Sequence, residues 1–228
     1  HEGEGIDVKN EFLWDDDCTV ELTTTMSPQG LVAVAVMRPT TNAKPAEETP
    51  GILWIHGGGY MTGGLRMLFD SRAADMARKH GAVVVSPEYR LASVSPYPAA
   101  VEDCYATLGF MIDNAEQLGI NDSKIVVGGE SAGGGLAAAV CMMARDKGEY
   151  SVAYQMPLYP MLDDRDTETS KDNFGGLWDT ALNHWAWDHH LKGLDREAPD
   201  GVPPYAAPAR QTDYTNLPPC YTFVGTAE

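Results

Sequence analysis

Long apolar runs are missing from this sequence. None approaches the ~20 residues that a helix needs to cross a bilayer, so no membrane span is expected. Basic residues are scarce: 16 Lys and Arg stand against 33 Asp and Glu, a formal net charge of -17. That excess repels phosphate backbones and anionic lipid, which argues against nucleic acid or a membrane surface as partner. It reads as a solubility feature, not as a device for steering substrates. Cysteine is sparse too. Cys18, Cys104, Cys141 and Cys220 lie far apart, with no CxxC or metal-type spacing. Buried free thiols are expected, not a disulfide framework, and with them a reducing, cytoplasmic setting. The opening HEGEGIDVKN lacks the basic start and apolar stretch of a secretion signal, and it lacks an initiating Met, so residues are expected to be missing before it. In that setting Asn121-Asp122-Ser123, which matches a glycosylation sequon, reads as a plain turn.

What the chain does have is 228 residues, 43% hydrophobic and 21% charged, which suits one globular domain or one domain carrying an insertion. Strand and helix signals alternate along most of it. Residues 31–37 (LVAVAVM), 52–55 (ILWI), 82–86 (AVVVS), 124–128 (KIVVG) and 152–160 (VAYQMPLYP) read as strands. Helical patterns fall at 70–80, stopped by Gly81, at 98–118, stopped by Gly119, and at 132–147, closed by Gly148. In the second of these, Val101, Cys104, Tyr105, Leu108 and Ile112 recur at helical spacing. The alternation predicts an α/β fold, a mostly parallel sheet with helices on both faces. From 163 to 214 the rhythm breaks. LWDTALNHWAWDHHLKG can form one amphipathic helix; EAPDGVPPYAAPA cannot be helical throughout, because proline removes donors and restricts the residue before it. The expected organisation is a core over 1–162, a lid-like insertion over 163–214, and a return to the core over 215–228, where PCYTFV has the strand pattern.

The sharpest chemical signal is Gly129-Glu130-Ser131-Ala132-Gly133, a G-x-S-x-G between an apolar strand and a helix. A nucleophile elbow requires that context. The turn is too tight for side chains at the flanking glycines, and it exposes the serine hydroxyl at a helix N-terminus. Rival readings of the same glycines fail. A P-loop needs Lys after Gly135, where Leu136 stands. Gly133, Gly135 and Ala138 spell G-x-G-x-x-A but fall inside the expected helix, not at its start, so no nucleotide cofactor is expected. A second motif, His56-Gly57-Gly58-Gly59, follows ILWI as an oxyanion loop of HGGG type would.

Taken together, HGGGY, SPEYRLASVSPYPAAVEDCYATL, GESAGGG, LYPMLD, PPYAAP and LPPCYTFVGTAE resemble the hormone-sensitive-lipase-like branch of the α/β-hydrolases, a branch rich in bacterial carboxylesterases. The resemblance runs over most of the chain, with Glu130 where that family commonly has Asp. It implies an α/β-hydrolase fold and a serine esterase acting on small, short-acyl carboxylic esters through an acyl-enzyme. It implies Ser131 as nucleophile, Gly58, Gly59 and Ala132 as oxyanion N–H donors, and His56 as a brace for its loop. Apart from the resemblance, the tryptophans of the expected insertion, Trp178, Trp185 and Trp187, offer amphipathic aromatic surface that suits a pocket roof, and Tyr60, Trp185 and Trp187 are the expected substrate-pocket residues. No cofactor and no metal are implied.

In this fold the acid and then the base follow the serine in the chain. Aligning VGTAE just after the CYTFV strand makes Glu228 the expected acid, with Asp163 as the alternative. The family's histidine comes after a further helix and strand, and the sequence stops at Glu228. The expectation is therefore a chain that ends before its C-terminal helix, last strand and histidine loop. His184, His189 and His190 in the insertion are weak substitutes for that base. A receptor-like binding module that keeps the pocket and lacks the base is the alternative function. Two protein partners stay open: a second copy of the chain, or a separate C-terminal segment of the same polypeptide.

Overall fold

A computed structural model describes residues 11–13 and 16–225. Seven strands form one sheet: β1 (Glu11–Leu13), β2 (Cys18–Ser27), β3 (Gly30–Pro39), β4 (Pro50–Ile55), β5 (Val83–Pro87), β6 (Asn121–Glu130) and β7 (Tyr154–Leu158). Their spatial order is β1-β2-β3-β5-β4-β6-β7. The four strands β5-β4-β6-β7 run parallel, and β1, β2 and β3 add antiparallel at one side. The inner strands are apolar on both faces, as parallel strands covered on two sides must be. Along β4, Ile52 and Trp54 enter one core cluster, and Leu53 and Ile55 enter the other. Ala73, Ala74 and Ala77 of α1 (Arg72–His80) cover the first face. The second face is covered by Leu108 and Met111 of α2 (Ala99–Asp113) together with Leu136 and Val140 of α4 (Ala132–Lys147). Helices on both faces are thus present as the alternation predicts.

The helix stops fall where glycine supplies them: Gly81, Gly119 and Gly148 close α1, α3 (Ala115–Leu118) and α4 in the left-handed region, with φ of 69, 68 and 66°. The single helix expected over 98–118 is broken. Asn114 leaves helical geometry, and its side-chain amide donates to Phe110 O at 2.8 Å, competing with the backbone ladder.

The segment 163–214 carries α5 (Thr180–His190) and a short 3-10 turn, Pro208–Arg210. It has no core of its own: Ala186, Trp187, Leu191, Val202, Ala206 and Ala207 join the cluster of α2 and α4. Its two ends are tied together. Ala209 N–H donates to Leu162 O (3.0 Å), and buried Asp164 takes a two-pronged bond from Arg210 (2.6 and 2.8 Å).

The strand expected at PCYTFV is reduced to an isolated bridge, Gln155 with Cys220. Tyr221 N–H donates to Gln155 O (3.0 Å), and Tyr159 N–H donates to Phe223 O (2.7 Å), so the segment does run beside β7. Pro218 and Pro219 have no N–H with which to extend the ladder. Cys18, Cys104 and Cys141 are buried as expected, with Cys104 and Cys141 as free thiols, whereas Cys220 is exposed at this edge. Among the described residues, no helix is long and apolar enough to cross a membrane.

Candidate active site

β6 ends at Glu130 and α4 begins at Ala132, which leaves Ser131 alone to make the turn. Its φ of 55° and ψ of -117° lie outside the helical and extended regions. Strain of this kind persists only where the surroundings impose it. Here the imposing contacts are visible. Ser131 N–H donates to Leu158 O (3.0 Å), and its carbonyl accepts from Gly135 (3.0 Å) and Met161 (2.9 Å). A Cβ on Gly133 would overlap the carbonyl oxygens of Ile55 and His56, and one on Gly129 would overlap Gly133 O and Ile55 O. The flanking glycines are therefore forced by close backbone approach, as the motif predicts.

The HGGG loop leaves β4 beside this turn, and a Cβ on Gly57 would lie 3.3 Å from Ser131 Cβ. Gly58 and Gly59 take φ of 115 and 59°, values that side chains resist. Gly58 O accepts from Met61 (3.0 Å) and Thr62 (3.0 Å), which closes the loop into a tight turn. Among the described residues, the N–H groups of Gly58, Gly59 and Ala132 have no protein acceptor, and the last opens helix α4. Three unspent donors near one serine can hold a developing oxyanion.

His56 is buried and stacks on Tyr89 with ring centroids 4.2 Å apart. Its Nδ1 donates to Gly57 O at 2.7 Å, and Tyr89 donates its hydroxyl to His56 O at 3.0 Å. Burial pushes the imidazole pKa down, so the ring is a neutral strut for the glycine loop. Glu130 turns toward the start of α1. Partial burial raises its carboxyl pKa, and the Arg72 backbone N–H and charge oppose that rise.

The acid and base are not brought to the serine. Glu228 lies outside the described residues. Asp163 is held by Arg165 in a surface pair (2.8 and 3.0 Å). Among the described residues, Ser131 Oγ has no hydrogen-bond partner, and each insertion histidine is engaged elsewhere. His184 pairs with Asp166 (2.7 Å), His189 Nδ1 donates to Trp185 O (2.8 Å), and His190 Nε2 donates to Ala206 O (3.2 Å) while stacking on Tyr60 at 4.0 Å.

The aromatic residues sort differently from the sequence expectation. Tyr60 and Trp187 are each 1% exposed and pack together in the core, with Tyr60 donating its hydroxyl to Met161 O (3.2 Å). Trp185 is 47% exposed on the outer side of α5. The indole that reaches the HGGG loop is Trp178: a Cβ on Gly59 would overlap its Cη2 and lie 2.8 Å from Cζ3. Composition marks Trp178 as one of several insertion aromatics, and nothing in its spacing separates it from the others. A cleft of about 700 Å³, lined by Asp164, His184, Asp188, Arg196 and Arg210 among others, lies within segment 163–214 and does not include Ser131. Most of its charges are paired with one another: His184 with Asp166, Arg196 with Asp188, and Arg210 with Asp164. Among the described residues, no group of three or more His, Cys, Asp or Glu could hold a metal ion.

A family model described as the alpha/beta hydrolase fold matches residues 52–228. The esterase LipI of Mycobacterium tuberculosis is 33% identical over 210 residues, covering 86% of this chain and 61% of its own length. The carboxylesterase NlhH of the same species is 35% identical over 190 residues, covering 80% of this chain and 56% of its own. Among solved structures, a bacterial heroin esterase superposes with a TM-score of 0.84 at 38% identity, covering 91% of this chain and 66% of that one. An esterase from Pyrobaculum calidifontis gives a TM-score of 0.79 at 34% identity, covering 93% and 66%. The chain spans 61% and 56% of the lengths of the two mycobacterial relatives. With its strand order, its elbow glycines and this match over most of its length, the chain belongs to the hormone-sensitive-lipase-like branch of the α/β-hydrolase family.

Proposed function

We propose that this protein hydrolyses small carboxylic esters with short acyl groups, through an acyl-enzyme on Ser131. The observation that carries the reading is the strained serine at the start of α4, with the HGGG loop packed beside it and three N–H groups, of Gly58, Gly59 and Ala132, without a protein acceptor among the described residues. Ser131 Oγ attacks the ester carbonyl, and the carbonyl oxygen takes the negative charge and is met by Gly58, Gly59 and Ala132. The alcohol leaves with a proton, and water then attacks the acyl carbon and frees the acid. A base must take the serine proton, with a carboxylate to orient it. We assign that base to none of the described histidines and propose Glu228 as the carboxylate, since Asp163 is already held by Arg165. Segment 163–214 is proposed as the lid over the site. The relatives are esterases by name, which weighs against a receptor-like binding module. The buried free thiols support a reducing, cytoplasmic setting.

The test compares a form of the protein that carries a histidine base with the Ser131→Ala variant of that form, on p-nitrophenyl acetate and with a fluorophosphonate probe. Loss of a nucleophile in such a site lowers kcat by up to ~10⁶-fold. The expected result is hydrolysis and labelling that both vanish in the variant. Label on another serine, with Ser131 clean, overturns the assignment.

A further inference from the structure

We propose that Trp178 is a specificity-determining residue, a wall that limits the size of the ester substituent lying against the oxyanion glycines. The proposal rests on the reading of Ser131 and the glycine loop given above. It starts from the contact already described: the outer edge of the indole lies so close to Gly59 that even a methyl group there would overlap it. The ring is held in that place by the start of α5. Asp179 caps the helix, its carboxylate accepting from Leu182 N–H at 2.8 Å. Trp178 is the residue just before that cap, the position from which an apolar side chain packs back onto the first turn. Its Nε1–H donates to Asn183 Oδ1 at 3.4 Å, so the polar end of the ring is spent on the helix and the benzo end faces the glycines.

The strap that delivers it is closed on itself. Asn173 N–H donates to Thr180 Oγ1 (2.8 Å), Thr180 N–H donates to Asn173 O (3.0 Å), and Thr180 Oγ1–H donates to Ser170 O (2.6 Å). Phe174 and Leu177, on the same strap, stand 89 and 93% exposed, so only Trp178 of its three large apolar residues is turned inward. An indole fixed in this way is a rigid boundary. Removing it leaves a space sized for several methylenes beside the reacting carbonyl, and each methylene buried there strengthens binding about 4-fold.

The experiment measures kcat/KM for the full chain, Trp178→Phe and Trp178→Ala over two ester series, acetyl to octanoyl on a fixed phenol and methyl to octyl on a fixed acetate. In Trp178→Ala the ratio of the longest to the shortest ester rises at least 10-fold in one series, with Trp178→Phe between it and the parent. Equal ratios in all three proteins, in both series, overturn the proposal while leaving Ser131-dependent hydrolysis intact. Dissociation constants of unreactive methyl ketones of the same lengths, read by calorimetry, test the wall without turnover. Longer ketones bind Trp178→Ala more tightly than the parent if the wall is there, and an unchanged ketone series overturns the proposal even if no ester is hydrolysed. Failure of hydrolysis in the parent, with the ketone shift present, counts against the esterase reading alone.

Discussion

Position 133 has room for a hydrogen atom and nothing larger, because the carbonyls of Ile55 and His56 close over it. Gly133→Ala must push α4 away from β4 or drag the elbow with it. The cost expected from such overpacking is ~1–3 kcal/mol, a fall in Tm of roughly 2–12 °C for a chain of this size, with a loss of Ser131 labelling that exceeds the loss of fold. Unchanged melting and labelling would show that the approach is not as close as described. His190 offers a test by pH. It is buried against Tyr60, Trp187 and Tyr97, and burial pulls its pKa down to about 4, only partly offset by its bond to Ala206 O. A lowered folded-state pKa means that the unfolded chain binds the extra proton. Stability is therefore full above the ordinary histidine value near 6.5 and is lost as pH falls from there toward 4, by up to ~1.4 kcal/mol per pH unit. His56 acts in the same sense. The decline in Tm between pH 6.5 and 5 should be shallower in His190→Phe than in the parent; superimposable profiles would refute the assignment.

At the level of elements, segment 163–214 depends on a clamp. Asp164 is 5% exposed; burial pushes its carboxyl up, but Arg210 and Arg196 outweigh that and hold it below the usual carboxylate range. Arg210→Ala removes the two-pronged partner of this buried charge and leaves it only Arg196, at 3.4 Å, a cost of up to ~3–5 kcal/mol. The ends of segment 163–214 should then part, and limited proteolysis should cut between 165 and 205 well before the sheet unfolds. An Asp164→Asn, Arg210→Met double variant leaves no stranded charge and should resist the protease better than Arg210→Ala. Equal or lower resistance would show that the pair is not the clamp. The helices and strands themselves were largely legible. Gly81, Gly119 and Gly148 announce their helix ends in sequence, and the apolar β-branched runs announce the inner strands. The break at Asn114 and the weak ladder at Cys220 were not legible, because each turns on competition for backbone groups between neighbours. β2 was also missed: its burial alternates only over part of its length, and its pairing with β3 is fixed across a hairpin.

For the whole molecule, a formal charge of -17 means that folding gathers like charges into a smaller volume. Salt screens that repulsion over about 10 Å at 0.1 M. Raising NaCl from 10 to 300 mM should lift Tm by ~2–4 °C, the equivalent of about 1 kcal/mol. A flat or falling response would mean that paired charges such as Arg90 with Asp103 outweigh the net excess. The sequence by itself determined the elbow, the glycine loop and the α/β layering, because each is written as a local pattern: glycine where backbones touch, apolar runs where strands are buried on both faces. Which aromatic meets the HGGG loop was decided only by the tertiary structure. Trp178, Trp185 and Trp187 are alike in composition, and they part company because α5 has one face in the core, one in solvent, and a capped start that turns a single indole onto Gly59.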